Sequence, residues 1–131
     1  MTTNATFDQH AAELGEAVGL KAEVQQDGDR LFVVLKGYGI PKGMSKATTT
    51  DMLFMADTQY PLSATDMFWT DLDVVRPDGS SFENSDSIEQ YLGLQWRRFS
   101  YHRNGMWSPT GNPLLHHFAF METRWTGQAK R

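Results

Sequence analysis

Phe7, Ala11, Leu14 and Val18 recur at steps of three and four residues and stop at Gly19, the apolar stripe of an amphipathic helix. Thr6-Phe7-Asp8-Gln9 has the form of a capping box, so the helix is expected to begin there. The period then changes from helical to two. Leu20, Ala22 and Val24 share one face of an extended segment, as do Leu31, Val33 and Leu35 of the next, and Asp27-Gly28 between them supplies a hairpin turn. A connection rich in glycine, proline and lysine, residues 39–47, leads to TTTDMLFMADTQ, β-branched at its start and apolar in its middle, which reads as a third strand. Tyr60-Pro61 interrupts the pattern, because proline lacks a ladder donor and biases the residue before it to extended geometry. DMFWTDLDVV, residues 66–75, resumes it as a fourth strand.

Four successive strands with short links predict an antiparallel meander. Arg76-Pro77-Asp78-Gly79 has the composition of a type I turn and opens a polar stretch, Ser80 to Gln95, with no periodic apolar face. That stretch is expected to be the least regular part of the chain, a long loop of the kind that carries function. Asn112-Pro113 supplies an N-cap with proline behind it, and Leu114, Leu115, Phe118, Met121 and Trp125 mark a second, more apolar helix. The last residues, Gly127 to Arg131, read as a frayed tail. The expected fold class is α+β: an N-terminal helix, a four-stranded antiparallel meander, a long active-site loop, and a second helix packed on the sheet. A single domain should span residues 1–131.

Composition narrows the chemistry. With 40% hydrophobic residues and four tryptophans there is material for a core. The chain has no cysteine, which removes disulfides, thiolate metal sites and thiol nucleophiles together, so any catalysis must use oxygen or nitrogen. A formal charge of −4 without a lysine or arginine cluster argues against nucleic acid as a partner. The N-terminus has no basic region followed by an apolar one, and no stretch approaches the roughly 18 apolar residues of a membrane span, so a cytoplasmic location is expected. No cofactor is expected. A metal site from His102, His116 and His117 is disfavoured, because adjacent helical residues point about 100° apart. Of His116 and His117, one should face solvent and the other be hydrogen-bonded. His10 reads as helix surface, Trp107 as a core anchor, and Asp66, Asp71 and Asp73 as the outer face of the fourth strand.

The stretch with most chemical content is RRFSYHRNGMWSP, residues 97–109. In an extended segment Arg98, Ser100 and His102 point to one side, with roughly 6.6 Å between alternate positions. Serine is a weak nucleophile until a base takes its proton, and histidine suits that role near neutrality. Arg98 is a candidate for stabilising an oxyanion, and Asn104 a second candidate donor.

YPLSATDMFWTDLDVVRPDG, followed by WRRFSYHRNGMWSP and LLHHFAF in this order of elements, resembles the ubiquitin-conjugating enzyme fold, and more closely prokaryotic ubiquitin-conjugating family E. The resemblance runs from about Leu20 to Trp125. In the wider fold a catalytic cysteine lies about eight residues before the tryptophan of Trp-Ser-Pro; here eight residues before Trp107 is Phe99 and seven is Ser100, so the resemblance places the nucleophile position on or beside Ser100. Two departures accompany the match. The His-Pro-Asn motif that usually precedes the nucleophile is missing, and the chain ends after the second helix, without the further C-terminal helices of the usual fold. The resemblance implies an activating enzyme, a ubiquitin-like protein and target lysines as partners, docking of the activating enzyme on the first helix near Glu13 and Glu16, and a bacterial role in antiphage defence. Three functions are open to such a chain: a transferase working through a serine oxyester, a catalytically inactive module that binds a ubiquitin-like protein or the activating enzyme, and a small Ser-His hydrolase. The hydrolase ranks last, since no third group to orient the histidine and no oxyanion loop is evident.

Overall fold

Residues 31–35, Leu-Phe-Val-Val-Leu, have no polar alternate, and a strand without one must be covered on both faces. In a computed structural model, which describes residues 1–63, 66–101 and 108–127, all five are buried. The elements run α1 (Ala5–Val18), β1 (Lys21–Asp27), β2 (Arg30–Gly39), β3 (Thr49–Asp57), β4 (Phe68–Thr70), β5 (Ser87–Tyr91), β6 (Leu94–Phe99) and α2 (Pro113–Thr126). The strands form one antiparallel sheet in the order β1-β2-β3-β4-β6-β5.

The α+β class is as expected, but the sheet has six strands rather than four. Ser87–Phe99 falls within or just beyond the stretch read as a long loop, yet it folds into the β5–β6 hairpin. Only the part ahead of it, residues 79–86, is irregular. The hairpin turns at Leu92 and Gly93, both with positive φ (55° and 75°), between the paired Tyr91 and Leu94. Two central residues of positive φ are the type I′ geometry that suits strand twist, usually announced by Asn-Gly. A leucine there costs local strain, and its side chain offsets that by packing against the cluster on the adjoining sheet face. β4 is shorter than residues 66–75, so Asp71 and Asp73 follow the strand instead of lining its outer face, and Asp66 precedes it.

Both helices pack on one face of the sheet. Phe7, Ala11 and Leu14 of α1 and Leu114, Phe118, Met121 and Trp125 of α2 meet Leu31, Val33, Leu35, Met52, Phe54, Phe68 and Phe99. The other face carries no helix among the described residues, but a second cluster, Phe32, Val34, Leu53, Trp69 and Trp96, is buried there with Tyr91 and Leu92 of the hairpin packed against it.

The helix starts are set by asparagines. Asn4, not Thr6, caps α1, its side chain accepting from the Phe7 N–H at 2.9 Å. Asn112 caps α2 as expected, accepting from the Leu115 N–H. Its amide also donates to the His10 carbonyl and to Glu13, both at 3.1 Å, so one residue starts α2 and fastens it to α1. Glu13 and Glu16 are both exposed, and Glu13 is engaged by this bond within the fold. His10 is half-buried rather than a plain surface residue, its Nδ1 2.7 Å from the hydroxyl of buried Tyr60. Tyr60 begins a cis peptide bond to Pro61.

α1 ends with Gly19 in the left-handed region, and Leu20 turns back to donate to the Gly15 carbonyl. Gly15 is itself a close-approach position: a Cβ there would lie 2.8 Å from the Leu20 carbonyl oxygen and 2.9 Å from the Ala22 Cβ. Alanine at an ordinary helical glycine stabilises by about 1 kcal/mol. Here Gly15→Ala is expected to reverse that sign and lower the unfolding free energy by roughly 1–2 kcal/mol, as overpacking does, measured by urea denaturation.

Asp51 organises the irregularity in β2, where Lys36 and Gly37 interrupt the pairing with β3. Its carboxylate accepts from the Gly37 N–H at 3.1 Å and from Lys36 at 2.7 Å. Asp71, beside it, has its pKa raised: burial is the main cause, the Asp51 N–H works against it, and the charges of Asp51 and Asp73 add to it. A carboxyl with a folded pKa above its unfolded value costs stability once ionised, and the cost disappears below the unfolded value near 4. Asp71→Asn, which keeps an acceptor for Asp51, is thus expected to raise the melting temperature at pH 7, the gain shrinking as the pH is lowered towards 4.

Candidate functional site

Residues 96–101 alternate between the two sheet faces. Phe99 and Tyr101 are buried on the helix side, Trp96 on the opposite side, and Arg98 and Ser100 follow Trp96. Phe99 stacks on Phe68 with ring centroids 4.7 Å apart and touches Trp125 at 5.3 Å. The guanidinium of Arg124, from the end of α2, lies 5.7 Å from the Tyr101 ring centre. Ser100 is thereby held between two anchored aromatic residues.

The backbone bends at Ser100. The Tyr101 N–H donates to the Phe99 carbonyl at 3.0 Å, a three-residue turn centred on the serine, and the Ser100 N–H donates to the Asn84 carbonyl at 2.9 Å. Arg97 reaches the same loop, donating to the Ser85 carbonyl at 2.6 Å and to the Ser81 hydroxyl, and its Nε donates to the Leu72 carbonyl, just beyond β4, at 3.1 Å. Tyr101 donates through its hydroxyl to the Glu83 carbonyl. The irregular segment 79–86 is in this way tied to β6 along its length.

The Arg98 Nε donates to Ser100 Oγ at 2.8 Å, and Arg98 is fixed by Glu89, whose carboxylate it meets at 2.8 Å through a terminal nitrogen. Glu89 also accepts from the Trp69 indole N–H at 2.8 Å and from the Tyr91 hydroxyl at 3.1 Å. Burial and the adjacent Glu89 push the Tyr91 phenol above its ordinary pKa, so it remains a donor at neutral pH. One carboxylate thus holds three donors, and one of them holds the serine. A guanidinium cannot act as a base, but beside a hydroxyl it stabilises the alkoxide that deprotonation creates.

Of the four residues expected in the site, Arg98 and Ser100 are brought together; His102 and Asn104 lie outside the described residues, as does Trp107. The tail residues 128–131 are likewise outside them. His116 is exposed, while His117 is fully buried with Nε2 2.8 Å from the Met67 carbonyl oxygen, the division expected for the pair. Among the described residues no group of three His, Asp or Glu side chains is placed to hold a metal ion. A shallow groove on the open sheet face, lined by Val34, Leu92, Leu94, Trp96, Glu23 and Asp51 among others, does not include Ser100.

Glu89 and Arg97 are the residues that sequence reasoning missed. Glu89 lies in a polar run, and the signal that could have found it was the alternation Glu89, Tyr91 after Ser87, which reads as a strand face only once residue 93 is taken as a turn.

Residues 8–126 match the model of one protein family, described as Prokaryotic E2 family E. The chain belongs to that family. No curated protein and no solved structure matches it. Membership in Prokaryotic E2 family E connects the protein with ubiquitin-like conjugation, as a conjugating transferase in general terms, with ubiquitin-like proteins and activating enzymes as its general class of partner. Among the described residues no helix is long and apolar enough to cross a membrane.

Glu89→Ala is expected to lower the unfolding free energy by about 2 kcal/mol, since it strands the buried Trp69 indole N–H and releases Arg98. Glu89→Gln, which keeps an acceptor, should cost roughly half as much. Denaturant titration followed by tryptophan fluorescence separates the two.

Proposed function

We propose that this family E protein accepts the C-terminal acyl group of a ubiquitin-like protein from its activating enzyme as an oxyester on Ser100 and passes it to a lysine of a target. The reading is supported above all by the 2.8 Å contact between Arg98 Nε and Ser100 Oγ, on or beside the position that the resemblance to the wider fold gives to a cysteine. In the first step the Ser100 oxygen attacks the activated carbonyl and its proton goes to His102. The new C–O bond replaces the bond to the activating enzyme, whose leaving group takes up a proton. In the second step a lysine amine attacks the ester carbonyl, an amide forms, and Ser100 regains its proton. Arg98 stabilises the alkoxide character of Ser100 in both steps. Asn104 is assigned to the oxyanion, a kind of contact worth on the order of 10²- to 10³-fold in rate. The setting is a bacterial conjugation pathway in the cytoplasm, with a role in antiphage defence.

The saturation of Arg98 by Glu89 favours a second reading, a catalytically inactive module that binds the ubiquitin-like protein or the activating enzyme. A guanidinium already paired with a carboxylate attracts new negative charge less strongly.

Mixing the protein with the activating enzyme, ATP and the ubiquitin-like protein, followed by intact mass measurement, tests both readings. An oxyester should survive thiol reductants and yield to hydroxylamine. Ser100→Ala should abolish the adduct, and Ser100→Cys should make it sensitive to reductant. His102→Ala should slow its formation by about 10²- to 10⁴-fold without changing the circular dichroism spectrum. A binding module gives no adduct with any of these variants, and an adduct that persists in Ser100→Ala excludes Ser100 as the acceptor.

A further inference from the structure

Met67 immediately precedes β4, and it is one of three non-glycine residues with positive φ, at 63°, among the described residues. Phe68 after it pairs in register with Phe99, the residue before Ser100, so Met67 sits alongside the Ser100 turn. Its unusual backbone is held from two sides. The Met67 N–H donates to the Tyr101 carbonyl at 3.3 Å, and the Met67 carbonyl oxygen lies 2.8 Å from His117 Nε2. A carbonyl oxygen only accepts, so Nε2 carries the hydrogen and the imidazole is the donor.

His117 is fully buried in α2, its ring edge-on to Phe54 at 5.7 Å. A buried imidazole amid apolar neighbours costs more than a leucine of similar size would, so its polar edge must supply something that packing alone does not. What it supplies is a fixed direction for the Met67 carbonyl. A non-glycine residue outside its preferred, negative φ region stays there only where the surroundings over-determine it, and such positions gather at functional sites.

We infer that His117 is a positioning residue for Ser100. Through Met67 it fixes the Tyr101 carbonyl, and with the Asn84 carbonyl on the Ser100 N–H this holds the three-residue turn that presents the serine hydroxyl to Arg98. α2 thereby controls the geometry of a nucleophile on the far side of the sheet without touching it. The inference rests on the acyl-transfer reading for its kinetic consequence but not for its structural one.

The test uses the protein of residues 1–131 with His117→Leu, which keeps the volume and loses the donor, and His117→Gln, whose Nε2 can reach the same carbonyl. Amide hydrogen exchange is read by NMR at Met67, Ser100 and Tyr101, and adduct formation is followed at saturating loaded activating enzyme. In His117→Leu, exchange at Met67 and Ser100 should accelerate relative to the β2–β3 core. The rate at saturation should fall on the order of 10- to 100-fold, as misplacement of a reacting group does, with KM unchanged. His117→Gln should restore both. Unchanged protection at Met67 and Ser100 in His117→Leu overturns the inference, and so does an equal rate loss in the two variants at equal melting temperature. If Ser100→Ala still forms the adduct, the acyl-transfer reading falls, and the exchange measurements decide the positioning role by themselves.

Discussion

The stack of Phe68 on Phe99, closed from the α2 side by Trp125, is the contact on which the rest of the molecule depends. Phe68 sits in a strand of three residues, too short to fix its register by backbone hydrogen bonds alone. The aromatic stack fixes it instead, each such ring pair adding about 0.5–1.5 kcal/mol beyond the area it buries. Once Phe68 faces Phe99, the β5–β6 hairpin is joined to the meander, α2 has its seat, and Ser100 is placed at the end of β6. Tyr38 and Phe82 extend the same cluster around Trp125, so the helix cannot move without disturbing the strand that carries the serine.

The opposite face works through a different force. There a single carboxylate, Glu89, collects an indole, a phenol and a guanidinium from three strands. Half-buried charge-assisted hydrogen bonds of this kind are directional, whereas apolar packing is not. The site therefore combines two forms of control: packing determines where residues 99 and 101 lie, and hydrogen bonding determines which way the side chains of 98 and 100 point. His117 links the two, since it is a polar donor set within the apolar layer and aimed at the backbone beside the turn.

Much of this was legible because it depends on local periodicity. The α1 stripe, the β1–β2 hairpin and the start of α2 at Asn112 follow from spacing and capping chemistry that operate within a few residues. The Arg98–Ser100 proximity also follows from the two-residue period of a strand. The β5–β6 hairpin was not legible, because its strands are polar, its turn uses leucine where asparagine is usual, and its stability comes from Tyr91 and Leu92 packing on Phe32 and Trp69, residues far away in the chain.

By itself, then, the sequence determined the α+β class, both helices, the first three strands, the family, and the strand face that pairs Arg98 with Ser100, since each is written in residues close together or in an ordered motif. Only the tertiary structure decided the sixfold sheet, the placement of Glu89 under Arg98, the use of Asn112 as a clasp between helices, and the aim of His117 at Met67. Those depend on which distant segments share a face, and burial free energy, which selects that arrangement, is non-directional and leaves no short-range mark on the chain.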